Sequence, residues 1–166
     1  MNQLSIAVIL VFNLILQTTI LQHFRIFGII PNTTLILLVV IAILFGRKKG
    51  AVIGLIAGLL QDILIGRILG VNALVYMLIG LGIGSFENKI FKDHAVTPIF
   101  FTLLATLSYH LMQYLIMYTV NDRVDILLLF TKVIAIEAVY NSAIAGFAYG
   151  WIYNFLYHSK TKIKTR

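Results

Sequence analysis

Two carboxylates, Asp62 and Glu137, stand in stretches that are otherwise almost wholly apolar. An acid in such surroundings can carry a proton, bind a cation or tie one helix to another, and inside a membrane it is a functional candidate by default. Uncharged polar groups accompany the two acids: Gln61 beside Asp62, Asn72 ten residues on, His110 and Gln113 in one segment, and Asn141 four residues after Glu137. Facing lipid would cost a carboxylate about 2.5 to 3.5 kcal/mol on insertion scales, so both acids must meet protein or water. Two readings stand for each. Asp62 either caps a helix or pairs with Arg67 near the outer boundary, or it serves a ligand or a proton. Glu137 pairs with Lys132, or both are interfacial, or it too is functional.

The segment that positions Asp62 carries a ladder: Gly50, Gly54, Gly58, Asp62 and Gly66 recur every fourth position. That spacing puts all five on one helical face. Glycines in register let another helix's backbone approach closely, which marks the face as turned toward protein. The device returns at Gly80 with Gly84, and at Ala138, Ser142, Gly146 and Gly150. Tight internal packing is the expected use, and an oligomer contact the other. Further polar stripes need partners as well: Asn13 and Gln17 on one face of the first segment, and Thr102, Thr106, Tyr109 or His110, and Gln113 on the fifth.

These elements belong in a membrane. Of the 166 residues 60% are hydrophobic and only 11% charged, with mean hydropathy +0.98, against roughly 25% charged residues in soluble domains. A crossing helix needs about 20 mostly apolar residues, and six candidates fit, near residues 4–21, 30–45, 50–66, 71–86, 96–118 and 126–157. The expectation is therefore an all-α integral membrane protein: one compact bundle of about six transmembrane helices over 1–157, with a short basic cytoplasmic tail at 158–166. Pro31 and Pro98 open spans two and five, where a missing N–H costs nothing, and Asn32, Thr33 or Thr97 can satisfy free backbone donors. Gly46 and Gly70 punctuate loop ends. The Leu and Ile of span two read as lipid-like. The last span is too long for a perpendicular crossing and must tilt, bend near Gly146 and Gly150, or begin as an interfacial segment before Lys132.

Basic residues set the orientation. Arg47, Lys48, Lys49, Lys89, Lys92, Lys160, Lys162, Lys164 and Arg166 lie on the side of both termini, against Arg25, Arg67 and Arg123 opposite. That places both termini in the cytoplasm. Tyr149, Trp151, Tyr153 and Tyr157 fit an interfacial aromatic belt at the same face. The net charge of +7 is spread over loops as the positive-inside rule and anionic lipid headgroups require, so the partners are membrane lipids and not nucleic acid. No basic residue precedes the first span, and Leu21-Gln22-His23 is no small-residue cleavage site, so that span is expected to stay as an anchor.

Enzymatic motifs find no support. His23, His94, His110 and His158 are scattered, and no His-Glu-x-x-His, Gly-x-Ser-x-Gly or phosphate-cradling Gly-x-x-x-x-Gly-Lys-Ser/Thr occurs. Without cysteine there is no disulfide and no thiolate chemistry. No catalytic residue, metal or cofactor is expected; a packing histidine is the expected role for His110, with proton carriage the other.

One run carries a resemblance. Gly54-Leu55-Ile56-Ala57-Gly58-Leu59-Leu60-Gln61-Asp62-Ile63-Leu64-Ile65-Gly66, followed by Leu69-Gly70-Val71-Asn72-Ala73-Leu74, resembles the central signature of the rod shape-determining membrane protein family MreD. Leu16-Gln17-Thr18-Thr19, Pro31-Asn32 and the Gly46-Arg47-Lys48 turn are similar to that family too, as are size and span count. The resemblance implies a non-enzymatic part of the bacterial elongation machinery. It would associate with MreC and, through the larger complex, with MreB, RodA and a penicillin-binding transpeptidase. It also implies a bundle similar to the substrate-binding subunits of energy-coupling-factor vitamin transporters, which makes small-ligand binding the rival function. A scaffold should bury its polar faces against one another, whereas a ligand subunit should wrap Asp62 and the fifth-span stripe around a cavity.

Overall fold

The computed structural model describes residues 3–66, 68–89, 96–120 and 127–161. Six helices follow in order: α1 (Gln3–Thr19), α2 (Thr33–Phe45), α3 (Arg47–Leu64), α4 (Val71–Gly84), α5 (Val96–Val120) and α6 (Leu127–Thr161), with one-turn 3₁₀ segments at Leu21–His23 and Glu87–Lys89. No strand occurs among the described residues; the nearest thing is a single bridge between Ile26 and Ile29 that closes the turn over Phe27 and Gly28.

Sequence chemistry explains the boundaries. Asn32 caps α2, its side-chain oxygen accepting from the Leu35 N–H at 3.0 Å, as a short polar residue before an apolar run does. Pro98 sits in the first turn of α5. Gly46 (φ +82°) ends α2 and Gly70 (φ +98°) precedes α4, a backbone region that glycine enters at no steric cost.

The helix that reads as lipid-like is the centre of the molecule. Nine of the thirteen α2 residues are buried, among them Leu35, Val39, Val40, Ala42 and Ile43 with no exposed surface. A helix apolar on every side needs protein on every side, and here α3, α4, α5 and α6 supply it, with α1 against its start. At 1.5 Å per residue α2 spans only about 20 Å, well short of a hydrocarbon core of about 30 Å. Being surrounded by protein, it need not match lipid.

Around α2 stand two antiparallel pairs. In the first, a Cβ placed on Gly50 would meet the Gly80 carbonyl, one on Gly54 the Tyr76 carbonyl, one on Gly58 the Ala73 backbone, and one on Gly84 the backbone of Arg47. Each step of four up α3 is a step of three or four down α4. In the second, His110 and Thr106 on α5 meet Glu137 and Asn141 on α6. Gly146 packs against the Ile99 side chain.

Three expectations need correction. Gly66 is not a rung: α3 ends at Leu64, and a Cβ on Gly66 would strike the backbone of Asp62 in its own turn. Gly150 holds no close approach, since nothing lies within 4 Å of where its Cβ would be. Tyr149 leaves the aromatic belt, because four-residue steps from Asn141 through Ala145 carry it into the core, 2% exposed; Trp151 is exposed, and the side chains of Tyr153 and Tyr157 lie outside the described residues. The long last helix is one uninterrupted element through Gly146 and Gly150, about 52 Å long, and it runs past His158 to Thr161.

By length and composition two stretches can cross a membrane, Val96–Ile116 in α5 and Val133–Trp151 in α6; Val8–His23 and Thr33–Phe45 are shorter apolar segments.

Candidate functional site

Polar side chains from all six helices converge toward the end of the bundle where α1 finishes and α2 begins. Asp62 is the last tooth of the α3 ladder. The turn after α3 brings the start of α4 back over it, where helix geometry leaves backbone N–H groups without partners. Asp62 takes three of them: Oδ2 accepts from Gly70 N at 2.9 Å and Ala73 N at 3.1 Å, and Oδ1 from Asn72 N at 3.1 Å. The residue is 3% exposed. A negative charge at a helix N-terminus is favoured by the backbone dipoles, so α3 supplies the cap that Gly70 cannot.

A second cluster is organised by the Tyr76 hydroxyl. It lies 2.9 Å from Asn32 Nδ2 and donates to Gln61 Oε1 at 3.0 Å. The Asn32 backbone N–H, free at the head of α2, donates to Asn141 Oδ1 at 2.8 Å. Asn141 Nδ2 in turn donates to Thr106 Oγ1 at 3.2 Å and to Glu137 Oε1 at 3.4 Å. Glu137 Oε2 sits 2.8 Å from His110 Nε2, where an ionised carboxylate accepts a hydrogen bond from the Nε2–H form of the ring. Tyr109 packs on Tyr76 with ring centroids 5.4 Å apart, linking this cluster to the third: Asn72 Oδ1 accepts from Tyr109 Oη at 2.9 Å and from Gln113 Nε2 at 2.7 Å. On α1, Asn13 Nδ2 donates to Thr34 Oγ1 at 3.0 Å, and Gln17 Oε1 accepts from Thr34 at 2.8 Å and Thr33 at 3.2 Å. Thr102 Oγ1 and Ser142 Oγ are buried without a partner.

The structure thus joins Gln61, Asn141, Glu137 and His110 in one chain of contacts and Asn72 with Gln113 in another, while Asp62 stands beside both on the α4 backbone. Arg67 and the Lys132 side chain, the alternative partners for the two acids, lie outside the described residues. Sequence reasoning missed Tyr76. The signal was available: it is a hydroxyl-bearing ring in an apolar run, four residues from Asn72 and four from Gly80, hence on the face that meets α3. Asn32 was read as a cap only, yet it also joins α4 and α6.

What this arrangement does chemically is hold helices. Both Asp62 oxygens are committed to backbone donors and both Glu137 oxygens to side chains. Among the described residues no three of His, Asp and Glu gather as metal ligands. A cavity of about 240 Å³ lies beside the third cluster, under the turn between α3 and α4, with Gln61, Asn72, Tyr109 and Gln113 on its walls.

Comparison with known families decides the identity: the family model described as rod shape-determining protein MreD matches residues 1–159. The chain belongs to the MreD family. MreD proteins are membrane proteins, and membership gives this chain a role in rod-shape determination within the system of Mre proteins. No curated protein and no solved structure matches it.

Proposed function

We propose that this MreD protein is a non-enzymatic scaffold of the cell-elongation complex, an integral membrane bundle crossing six times with both termini in the cytoplasm. MreC is its direct partner, and MreB, RodA and a penicillin-binding transpeptidase are reached through the larger complex. One observation carries the reading: the two acids, Asp62 and Glu137, are committed to backbone and side-chain groups of the helices around them, and polar side chains of all six helices bond across helix boundaries. An energy-coupling-factor type subunit would need Asp62 free to face a ligand, and here its oxygens face the α4 backbone. Charge that fixes helices in place leaves the outer surface for partner helices, and that division of labour suits a scaffold.

Affinity purification of the intact protein from its native membrane in mild detergent tests this directly. MreC should be recovered with it in fixed proportion. Recovery of the bundle without MreC, or with an ATP-hydrolysing partner in its place, would overturn the scaffold.

The orientation has its own test, made clean by the absence of cysteine. Arg25→Cys should be labelled from outside by an impermeant thiol reagent, and Lys48→Cys only after the membrane is opened. The reverse pattern would invert the topology. The proposed single domain over 1–157, with its tail at 158–166, places the basic end of α6 on the same side as Lys48.

A further inference from the structure

The cavity beside Asn72 contains hydrogen-bonding capacity that the protein does not use. Asn32 Oδ1 accepts from the Leu35 N–H and lies 3.1 Å from the Tyr76 hydroxyl, whose single proton goes either to it or to Gln61 Oε1 at 3.0 Å. Either way one end of the Gln61 amide pairs with Tyr76, and the other end has no partner among the described residues. Gln61 is only 9% exposed, and it lines the cavity.

The third cluster leaves the same kind of remainder. Asn72 Oδ1 accepts hydrogen bonds from Tyr109 and Gln113, which leaves Asn72 Nδ2 and Gln113 Oε1 without partners among the described residues. Turning both amides over exchanges the roles but still leaves one donor and one acceptor. Three polar groups on three different helices therefore line one space of about 240 Å³, roughly eight times the share of liquid volume that one water occupies. Gln61 is buried and Asn72 and Gln113 are half-buried, and polar groups so far from bulk water are usually matched.

The complement of groups selects the occupant. Among the described residues no charged side chain lines the cavity, and both Asp62 oxygens are held by α4 backbone N–H groups. Among those same residues a cation would find only neutral carbonyl oxygen, and an anion no positive partner. A hydroxyl can both donate and accept a hydrogen bond, and neighbouring hydroxyls on one carbon chain match a set of amide donors and acceptors on three helices, with the Tyr109 ring as an apolar wall. We propose that this cavity is a binding site for a neutral, hydroxyl-rich group. Its source is either the sugar headgroup of a lipid in the adjoining leaflet or a free sugar. This goes beyond the scaffold reading, and its test uses neither cell shape nor complex recovery, so either can fail without the other.

The experiment uses the intact protein in phosphatidylcholine nanodiscs. Methyl β-glucoside is added to the water, and its contact is read by saturation-transfer NMR; in a separate arm glucosyl-diacylglycerol is doped into the lipid, and its retention is read by native mass spectrometry. One-to-one binding of the glucoside identifies a free sugar, and retention of the glucolipid alone identifies a headgroup. Asn72→Asp keeps Oδ1 for Tyr109 and Gln113 but replaces the unused donor with a charged oxygen, and should weaken binding at least tenfold. Ile68→Trp leaves every amide in place and fills the space from a half-buried turn position, and should abolish binding while the protein melts like the parent. The proposal is overturned if neither probe is held and water alone fills the cavity. It is equally overturned if a folded Ile68→Trp chain binds like the parent, or if anionic phosphatidylglycerol is retained in preference to the glucolipid.

Discussion

Gly54→Leu and Gly58→Leu chains should fail to close the α3–α4 pair and be lost from the membrane. The reason is backbone, not side chain: a Cβ on Gly54 would land on the Tyr76 carbonyl, and one on Gly58 on the Cα and N of Ala73. A side chain can change rotamer to make room, but a helix backbone must move as a whole. Overpacking a core typically costs about 1 to 3 kcal/mol, and alanine at either position should already reach that range, with leucine beyond it. Gly82 and Gly150 provide the controls, because nothing lies within 4 Å of a Cβ at either. Alanine there should be neutral or gain up to about 1 kcal/mol from helix propensity. Yield after mild extraction and the melting temperature decide the matter. Parent-like melting of Gly58→Leu would mean that the two helices do not meet as described.

Asp62 should show a graded response. Asp62→Leu removes three acceptors at once and strands the N–H groups of Gly70, Asn72 and Ala73, for a loss of about 3 kcal/mol or more. Asp62→Asn is milder but not silent. One amide oxygen can take the place of Oδ2 and keep the bonds to Gly70 and Ala73, while the amide NH₂ is turned against the Asn72 N–H, donor to donor. The expected cost is about 1 to 2 kcal/mol. Melting, recovery of MreC and rod shape should therefore decline in the order parent, Asn, Leu. Equal loss of rod shape in both variants, with parent-like melting and intact complexes, would show that the carboxylate has a task other than capping α4.

Helical periodicity made the segments legible, because an apolar run between a cap and a glycine has few ways to fold. The six helices lie close to the stretches that the sequence marks, and the α3 ladder is visible before any neighbour is known. Periodicity reveals which residues share a face but not what that face meets. Asp62 and Gly58 read alike as small or polar rungs, yet one meets backbone through space too tight for a side chain and the other through hydrogen bonds. Lipid and protein interior are equally apolar, so α2 could not be told from a lipid-facing helix by composition. Its short length, set by Asn32 and Gly46, was the available clue. The Tyr76 hub was hidden because a tyrosine in an apolar run looks like any other aromatic until Asn32 and Gln61 are brought to its hydroxyl.

The bond from the Asn32 N–H to Asn141 Oδ1 joins residues 109 positions apart, and this bears on how the protein is made. A ribosome delivers α2 long before α6. Until α6 is in place, the Asn32 N–H at the head of α2 lacks its partner and the space beside Thr106 lacks its amide. The bundle is therefore sealed only once α6 has docked. Chains that stop before Asn141 would leave an open polar seam between α2 and α5, which a chain that includes α6 closes for itself.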